Sequence, residues 1–183
     1  AEMTTTQIAN LAATQVQALT STNMASMADT QVAAFTTSQV KAFSASTIAA
    51  FTDTQIAALT TTQVSALGAT QIAGLTETNV AAMTNTQIGA ITATQIASLT
   101  ATAVSGFDSA QFASLSTTQV KALTTTQMSA LNATDISDFT NTQIAALTTA
   151  SIIAALRPVR ALPPKRLVVM VSIWAIRPLM MRL

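Results

Sequence analysis

The sequence predicts an all-α solenoid of very short helices, one in each eight-residue repeat. Self-similarity at this period runs without insertion or deletion over about 150 residues. Two apolar columns follow the period throughout, and a polar signal for a helix start recurs beside them. The idealised unit is Leu-Thr-x-Thr-Gln-Ile-Ala-Ala, which residues 59–66 match with minor changes. The excess of Ala and Thr is not typical of an ordinary globular domain and is explained by the repeat.

The two apolar columns favour a helix over a strand. One column holds Ile, Val, Met or Phe at every eighth residue from Ile8 to Ile152, and the other is apolar from Met3 to Leu147. Residues three apart share a helix face but point to opposite faces of a strand, and Ala between them is a good helix former. A β-solenoid is thus only the alternative. The predicted core residues are Ile56, Leu59, Ile88, Ile96, Leu99, Ile144 and Leu147.

A single continuous helix does not fit the period. Eight residues at roughly 100° each advance the apolar pair by about 80° per unit, so the apolar stripe would wind around every helix face. Helices interrupted once per unit remove this conflict. Because such short helices are unstable alone, they need to stack into a solenoid. The repeat does not show how many units complete one superhelical turn.

The polar columns place a helix start in each unit. Ser, Thr, Asp, Asn or Gly follows the second apolar column in seventeen of nineteen units, and Gln comes three residues later in thirteen. Thr-x-x-Gln is a capping box, and the flanking apolar residues form a hydrophobic staple. The helix should then run from the x position to the second Ala. An amide ladder between stacked coils is the alternative role of Gln. The predicted capping residues are Thr52, Gln55, Thr60, Gln63, Thr84, Gln87, Thr140 and Gln143.

Charge divides the chain into two segments. Residues 1–156 carry seven acidic residues and two lysines, a net charge of −5, whereas residues 157–183 carry one lysine and all five arginines, a net charge of +6. All four prolines also lie in the second segment. We predict an octapeptide-repeat solenoid over 1–156 and a basic Pro/Arg-rich apolar tail over 157–183. The tail is interpreted as a cap, an anchor or an out-of-frame segment, and its ten-residue apolar run is too short to span a bilayer.

The composition excludes most classes of catalysis. The chain has no Cys, no His and no Tyr, so Cys or His nucleophiles, Ser-His-Asp relays and Cys/His zinc sites are all absent. Asp135 and Asp138 are the one close acidic pair, and a calcium site needs six or more oxygen ligands, so we interpret them as surface substitutions. The sequence predicts a protein that is not an enzyme, with no catalytic, cofactor-binding or metal site and no nucleic-acid partner.

The threonine columns suggest one binding function. Pairs such as Thr52 with Thr54 and Thr84 with Thr86 recur along the array. Regular Thr arrays on a weakly charged surface resemble the ice-binding faces of antifreeze proteins. Binding of ice or of another regular surface through Thr-x-Thr is therefore the alternative function.

The unit Leu-Thr-x-Thr-Gln-Ile-Ala-Ala resembles the octapeptide arrays of very large secreted or surface-displayed bacterial proteins, including adhesin-like and haemagglutinin-like ones. The resemblance covers residues 1 to about 154. It implies an extracellular or cell-surface location on a bacterium and a structural role without a defined active site. The leading interpretation is a stalk, a spacer or a filament subunit. End-to-end or lateral self-association is the expected partner interaction, and any surface ligand is left unidentified.

Overall fold

The computed structural model describes residues 3–159, and it describes side chains as far as residue 156. Within this range the chain forms nineteen helices and no strand, one helix per octad, which confirms the predicted α-solenoid over the β-solenoid alternative. The prediction for the tail falls on residues almost all of which lie outside the described range. The helices are α1 (Thr5–Ala9), α2 (Ala13–Gln17), α3 (Ser21–Ala25), α4 (Asp29–Ala33), α5 (Thr37–Val40), α6 (Ala45–Ala49), α7 (Asp53–Ala58), α8 (Thr61–Ala66), α9 (Ala69–Ala73), α10 (Glu77–Ala82), α11 (Asn85–Ala90), α12 (Ala93–Ser98), α13 (Ala101–Ser105), α14 (Ser109–Ser114), α15 (Thr117–Ala122), α16 (Thr125–Ala130), α17 (Ala133–Ser137), α18 (Asn141–Ala146) and α19 (Thr149–Val159).

Every helix from α1 to α18 begins after an extended N-cap residue, and most of the six-residue helices also end at an extended residue. In α7 the N-cap is Thr52, at φ −71° and ψ 164°, and the C-cap is Leu59, at φ −61° and ψ 135°. The same Leu59 precedes Thr60, the N-cap of α8. The described chain contains no residue with positive φ, so its helices end without the left-handed residue common at helix C-termini. An ordinary apolar residue such as Leu59 can therefore make the turn into the next helix.

The helices stack in three rows. Most helices pack against the helix three units later, as α1 does on α4, α4 on α7 and α7 on α10. The same spacing joins α10 to α13, α13 to α16 and α16 to α19. One superhelical turn therefore takes about three octads. This number is absent from the repeat pattern because all octads carry the same columns.

The two apolar columns fill the interior of the coils. Most of the predicted core residues are buried, including Ile56, Leu59, Ile88, Ile96, Leu99 and Leu147, at 0–5% exposure. Ile144 is only partly buried, because no described helix packs on the outer side of α18. Successive octads meet near the axis: the rings of Phe35 and Phe43 lie edge to face at 4.9 Å between centroids, and those of Phe43 and Phe51 at 5.6 Å.

Candidate functional site

The described residues offer hydrogen bonding and little other chemistry. They contain no group of three or more His, Cys, Asp or Glu side chains that could hold a metal ion. The interpretation of Asp135 as a surface substitution is wrong: it is only 7% exposed, because it takes the place of the Gln in its octad. Its carboxylate serves its own helix start, where Oδ2 accepts from the backbone N–H of Asn132 at 2.8 Å. A shallow surface depression of about 370 Å³ lies between α7 and α10 and is lined by Asp53, Thr54 and Thr78, among others. Over the same described range, no helix is both long and apolar enough to cross a membrane.

The predicted capping residues form reciprocal boxes at the helix starts. In α11, the Gln87 N–H donates to Thr84 Oγ1 at 3.2 Å, and the Thr84 N–H donates to Gln87 Oε1 at 2.7 Å. Thr52 with Gln55, Thr60 with Gln63, and Thr140 with Gln143 make the same two bonds. Each box satisfies two backbone N–H groups that a helix start leaves open.

The same glutamines also reach the preceding coil. Gln87 Nε2 donates to the carbonyl oxygens of Leu59 at 2.6 Å and Ile56 at 2.8 Å, which lie 28 and 31 residues earlier. Gln55 makes the equivalent bonds to Met27 and Met24, both at 2.7 Å. These carbonyls lie at the C-terminal end of a helix four units upstream, where the last carbonyls lack the partners of a helix interior. The Ile56 carbonyl also accepts the Leu59 N–H at 3.2 Å. One side chain thus caps the start of its own helix and the end of another.

These hydrogen bonds to two helices explain why polar side chains can be buried in the coils. Gln55, Gln87, Gln111 and Gln127 are only 1–2% exposed. A buried amide without partners would destabilise the fold. Within the described part of the chain, every buried side-chain nitrogen and oxygen atom has a hydrogen-bond partner. We call the Gln column, with Asn79 as a shorter member, the bridging amides.

Departures from Gln weaken the bridge in a graded way. The shorter Asn79 reaches the Phe51 carbonyl at 3.1 Å but not the second carbonyl. Thr47 makes one long contact of 3.4 Å to the Leu19 carbonyl. Ala103, which is fully buried in this column, has no side-chain donor at all. The column therefore contains natural variants of the same bridge.

The cap column varies as well. Ala12, Ala28 and Gly68 have no side-chain acceptor for the helix start. The N3 glutamine still accepts from the cap N–H in these helices, at 2.8 Å in each case. Half of the box is thus present even where the cap hydroxyl is missing.

The threonine columns are exposed, and the hydroxyl groups of most cap threonines are engaged, as are those of Thr54 and Thr78 beside them. Thr52 Oγ1 accepts the Gln55 N–H at 3.3 Å and lies 3.2 Å from Thr54 Oγ1. The Thr54 hydroxyl donates to Asp29 Oδ1 in the preceding coil at 3.0 Å. The hydroxyl groups of Thr52 and Thr54 thus serve the helix start and a contact between coils, which reduces what this pair could offer to an external lattice.

Sequence reasoning placed the glutamines at the helix starts and missed their combined role. It treated capping and inter-coil contact as alternatives, with amides pairing to one another between coils. In the structure one amide serves both purposes, and Nε2 donates to backbone carbonyls. The preference for Gln was the available signal. Glu could also have closed the N-terminal box, but it lacks the amide donor that Gln provides.

Comparison with known proteins agrees with this architecture. A family model described as the ALTTAQ repeat matches residues 32–69. The chain is a repeat protein. The matched segment of this repeat protein runs from α4 to the start of α9 and includes three complete Thr–Gln boxes, at Thr36, Thr52 and Thr60. No curated protein and no solved structure matches the chain.

Proposed function

We propose that the array is a non-enzymatic structural module that acts as a stalk, spacer or filament subunit on the outside of a bacterial cell. The observation that carries the proposal is the use of the polar groups. In the inner coils the bridging amides spend both their donor and their acceptor on the solenoid itself. A chain whose recurring glutamines hold neighbouring coils together is suited to setting a length.

The modular construction of the solenoid supports the same role. Each added turn brings its own capping boxes, bridging amides and apolar columns, so the length can grow without a new design for the core. The cell-surface location rests on the resemblance of the octad to secreted and surface-displayed bacterial arrays. Antibodies raised against the array should label intact cells of the source organism, and labelling seen only after lysis would contradict the location.

The spacer role is tested by measuring length. Duplicating residues 61–84, three octads from the start of α8 to the cap of α11, should add one turn to the rod. Stacked helices lie about 8–10 Å apart, so small-angle scattering should show the longest dimension rising by roughly that distance. A control duplication of 61–72, one and a half octads, breaks the register. An unchanged longest dimension with an intact helical spectrum for the first variant would overturn the spacer role.

Ice binding through the Thr-x-Thr columns is the alternative function that has to be distinguished from the spacer role. A spacer should show no thermal hysteresis, and exposed changes such as Thr86→Val should leave its length and stability nearly unchanged. Hysteresis in the unmodified chain that is lost in this variant would establish surface binding as the function.

A further inference from the structure

Helix α13 lacks a bridging amide on both of its sides. Its own member of the Gln column is Ala103, which has no side-chain donor for the coil before it. On the other side, the spacing seen in the other coils calls for an amide 31 residues after Val104 and 28 residues after Phe107. That position holds Asp135, and a carboxylate has no hydrogen to donate. With Asp135 charged, α13 therefore goes without the amide bonds that hold α12 and α14.

Asn79 shows how a side chain of this length sits in the column. Its Oδ1 accepts the Thr76 N–H at 3.0 Å, which closes the box at the start of α10. Its Nδ2 donates to the carbonyl of Phe51, 28 residues earlier, at 3.1 Å. One terminal atom thus serves the helix start, and the other faces a carbonyl oxygen of the preceding coil.

Asp135 has the shape of Asn79 and the same division of its two terminal atoms. Its Oδ2 accepts the Asn132 N–H at 2.8 Å, which leaves Oδ1 in the place of the Asn79 Nδ2. The column spacing puts this Oδ1 against the carbonyl of Phe107, 28 residues earlier. Because Asp135 is only 7% exposed, the contact is largely removed from water. Two oxygen acceptors therefore meet there whenever the carboxyl is charged.

The elements around Asp135 place few other charges near it. The titratable groups are Asp138, at the end of α17 itself, and Asp108, the cap of α14, whose Oδ1 accepts the Gln111 N–H at 2.7 Å. Helix α19 packs on α17 and carries no titratable side chain as far as residue 156. Helices α13, α14, α16 and α18 contain no lysine or arginine. A proton is thus the simplest means of removing the mismatch between the two oxygens.

We propose that Asp135 is a pH-dependent bridge, which donates from its protonated Oδ1 to the Phe107 carbonyl in acid and gives up that bond at neutral pH. The proton comes from solvent, and Oδ2 keeps its bond from the Asn132 N–H in both states. Acidification therefore adds to α13 the hydrogen bond that an amide provides in the neighbouring coils. The stability of one turn then depends on acidity, which is a property that the spacer role does not require.

Nuclear magnetic resonance of the 183-residue chain, labelled with carbonyl-¹³C phenylalanine, detects the bond directly. The Phe107 carbonyl resonance should move to lower field between about pH 7 and about pH 3, the range over which aspartates take up their proton. The Phe112 carbonyl is the internal control and should stay in place, because it already accepts from the Gln143 amide, which does not titrate.

Asp135→Asn supplies the donor at every pH. Its Phe107 carbonyl should therefore lie at the low-field position at both ends of the titration. A Phe107 resonance that does not move in the unmodified chain overturns the proposal. Movement of the same size in Asp135→Asn also overturns it, because the titrating group would then be Asp108, which follows Phe107 directly.

Urea titration followed by circular dichroism measures what the bridge contributes. At neutral pH Asp135→Asn should unfold at a urea concentration about 0.5 M higher than the unmodified chain, because its amide donates to Phe107 as Asn79 does to Phe51. Asparagine does not titrate, whereas the carboxyl gains its donor in acid, so the two midpoints should converge as the pH falls.

Asp53→Asn is the matched control, since it removes the same charge from an exposed residue at the first position of α7. The helix dipole favours a negative charge at that position, so its midpoint should not rise at neutral pH. A higher midpoint in Asp135→Asn alone, which disappears in acid, supports the proposal. Equal midpoints of Asp135→Asn and the unmodified chain at neutral pH, or an equal rise in Asp53→Asn, overturn it.

Discussion

At the scale of the residue, each bridging amide joins two helices of different coils through one side chain. Gln87 satisfies the N–H of Thr84 and the carbonyls of Ile56 and Leu59 from a site that is 2% exposed. Gln87→Met keeps the length and removes the partner of the Thr84 N–H and of the Leu59 carbonyl, while the Ile56 carbonyl keeps its bond from the Leu59 N–H. We therefore expect a loss of about 2–3 kcal/mol in the free energy of unfolding. Urea titration followed by circular dichroism measures it. Gln7→Met, which removes only an exposed cap, should cost less than about 1 kcal/mol, and equal losses would contradict the bridging role.

Ala103 provides the reverse experiment. It is buried in the Gln column, and the cap of its helix, Thr100, bonds only to the Ala103 N–H. Ala103→Gln should restore both the box and the bridge, the latter to the carbonyls of Ile72 and Leu75, where the column spacing places them. We expect the free energy of unfolding to rise by about 1 kcal/mol. A lower stability would show that this coil cannot accommodate the amide.

Two glycines allow the effect of a close backbone contact to be distinguished from the effect of helix propensity. A Cβ on Gly106 would lie 2.8 Å from the Glu77 carbonyl oxygen, whereas one on Gly89 would meet nothing within 4 Å. Gly106→Ala should therefore lower the melting temperature. Gly89→Ala should stabilise α11 by about 0.5–1 kcal/mol, because Ala has the higher helix propensity. Thermal melts of the two variants check this, and a shift of the same sign in both would contradict the close contact.

At the scale of the element, helix starts were predictable and stacking was not. The cap, N3 and apolar columns specify where each helix begins, and α7 and α8 run over the predicted positions from x to the second Ala. The local rules that predict a box act within four residues. The stacking partner of a helix lies three units away, and identical columns make every choice of partner look alike from the sequence. Gly74 against Ala45 is a contact at this longer range, with no local signal.

The cap hydroxyl gives a prediction at the same scale. Ala28 leaves α4 with only the glutamine half of its box, whereas Thr92 completes the box of α12. Ala28→Thr should stabilise the chain by about 1 kcal/mol, and Thr92→Ala should destabilise it by a similar amount. Hydrogen exchange at the first amides of α4 and α12 would localise the change, and effects spread evenly over the array would contradict a local cap.

At the scale of the whole molecule, the structure predicts which deletions the solenoid tolerates. Stability in such an array is close to a sum over units and their neighbours, and each unit contacts the unit three positions away. Deleting 117–140 removes one complete turn and joins the cap Ser116 to the first helical residue Asn141. Gln143 then takes the place of Gln119, whose amide reaches the carbonyls of Ile88 and Ile91. The close contact of Gly106 with Glu77 is retained.

This shortened chain should keep its helical spectrum and unfold with a smaller dependence on urea, because less surface is exposed on unfolding. Deleting 117–128 removes one and a half octads and places a helix start over the middle of a helix. The apolar columns then leave the interior, and the capping boxes nearest the junction lose their partners. We expect loss of cooperative unfolding in that variant alone. Equal tolerance of both deletions would mean that the octads fold without their coil register, and the bridging amides would then have no role in holding the turns together.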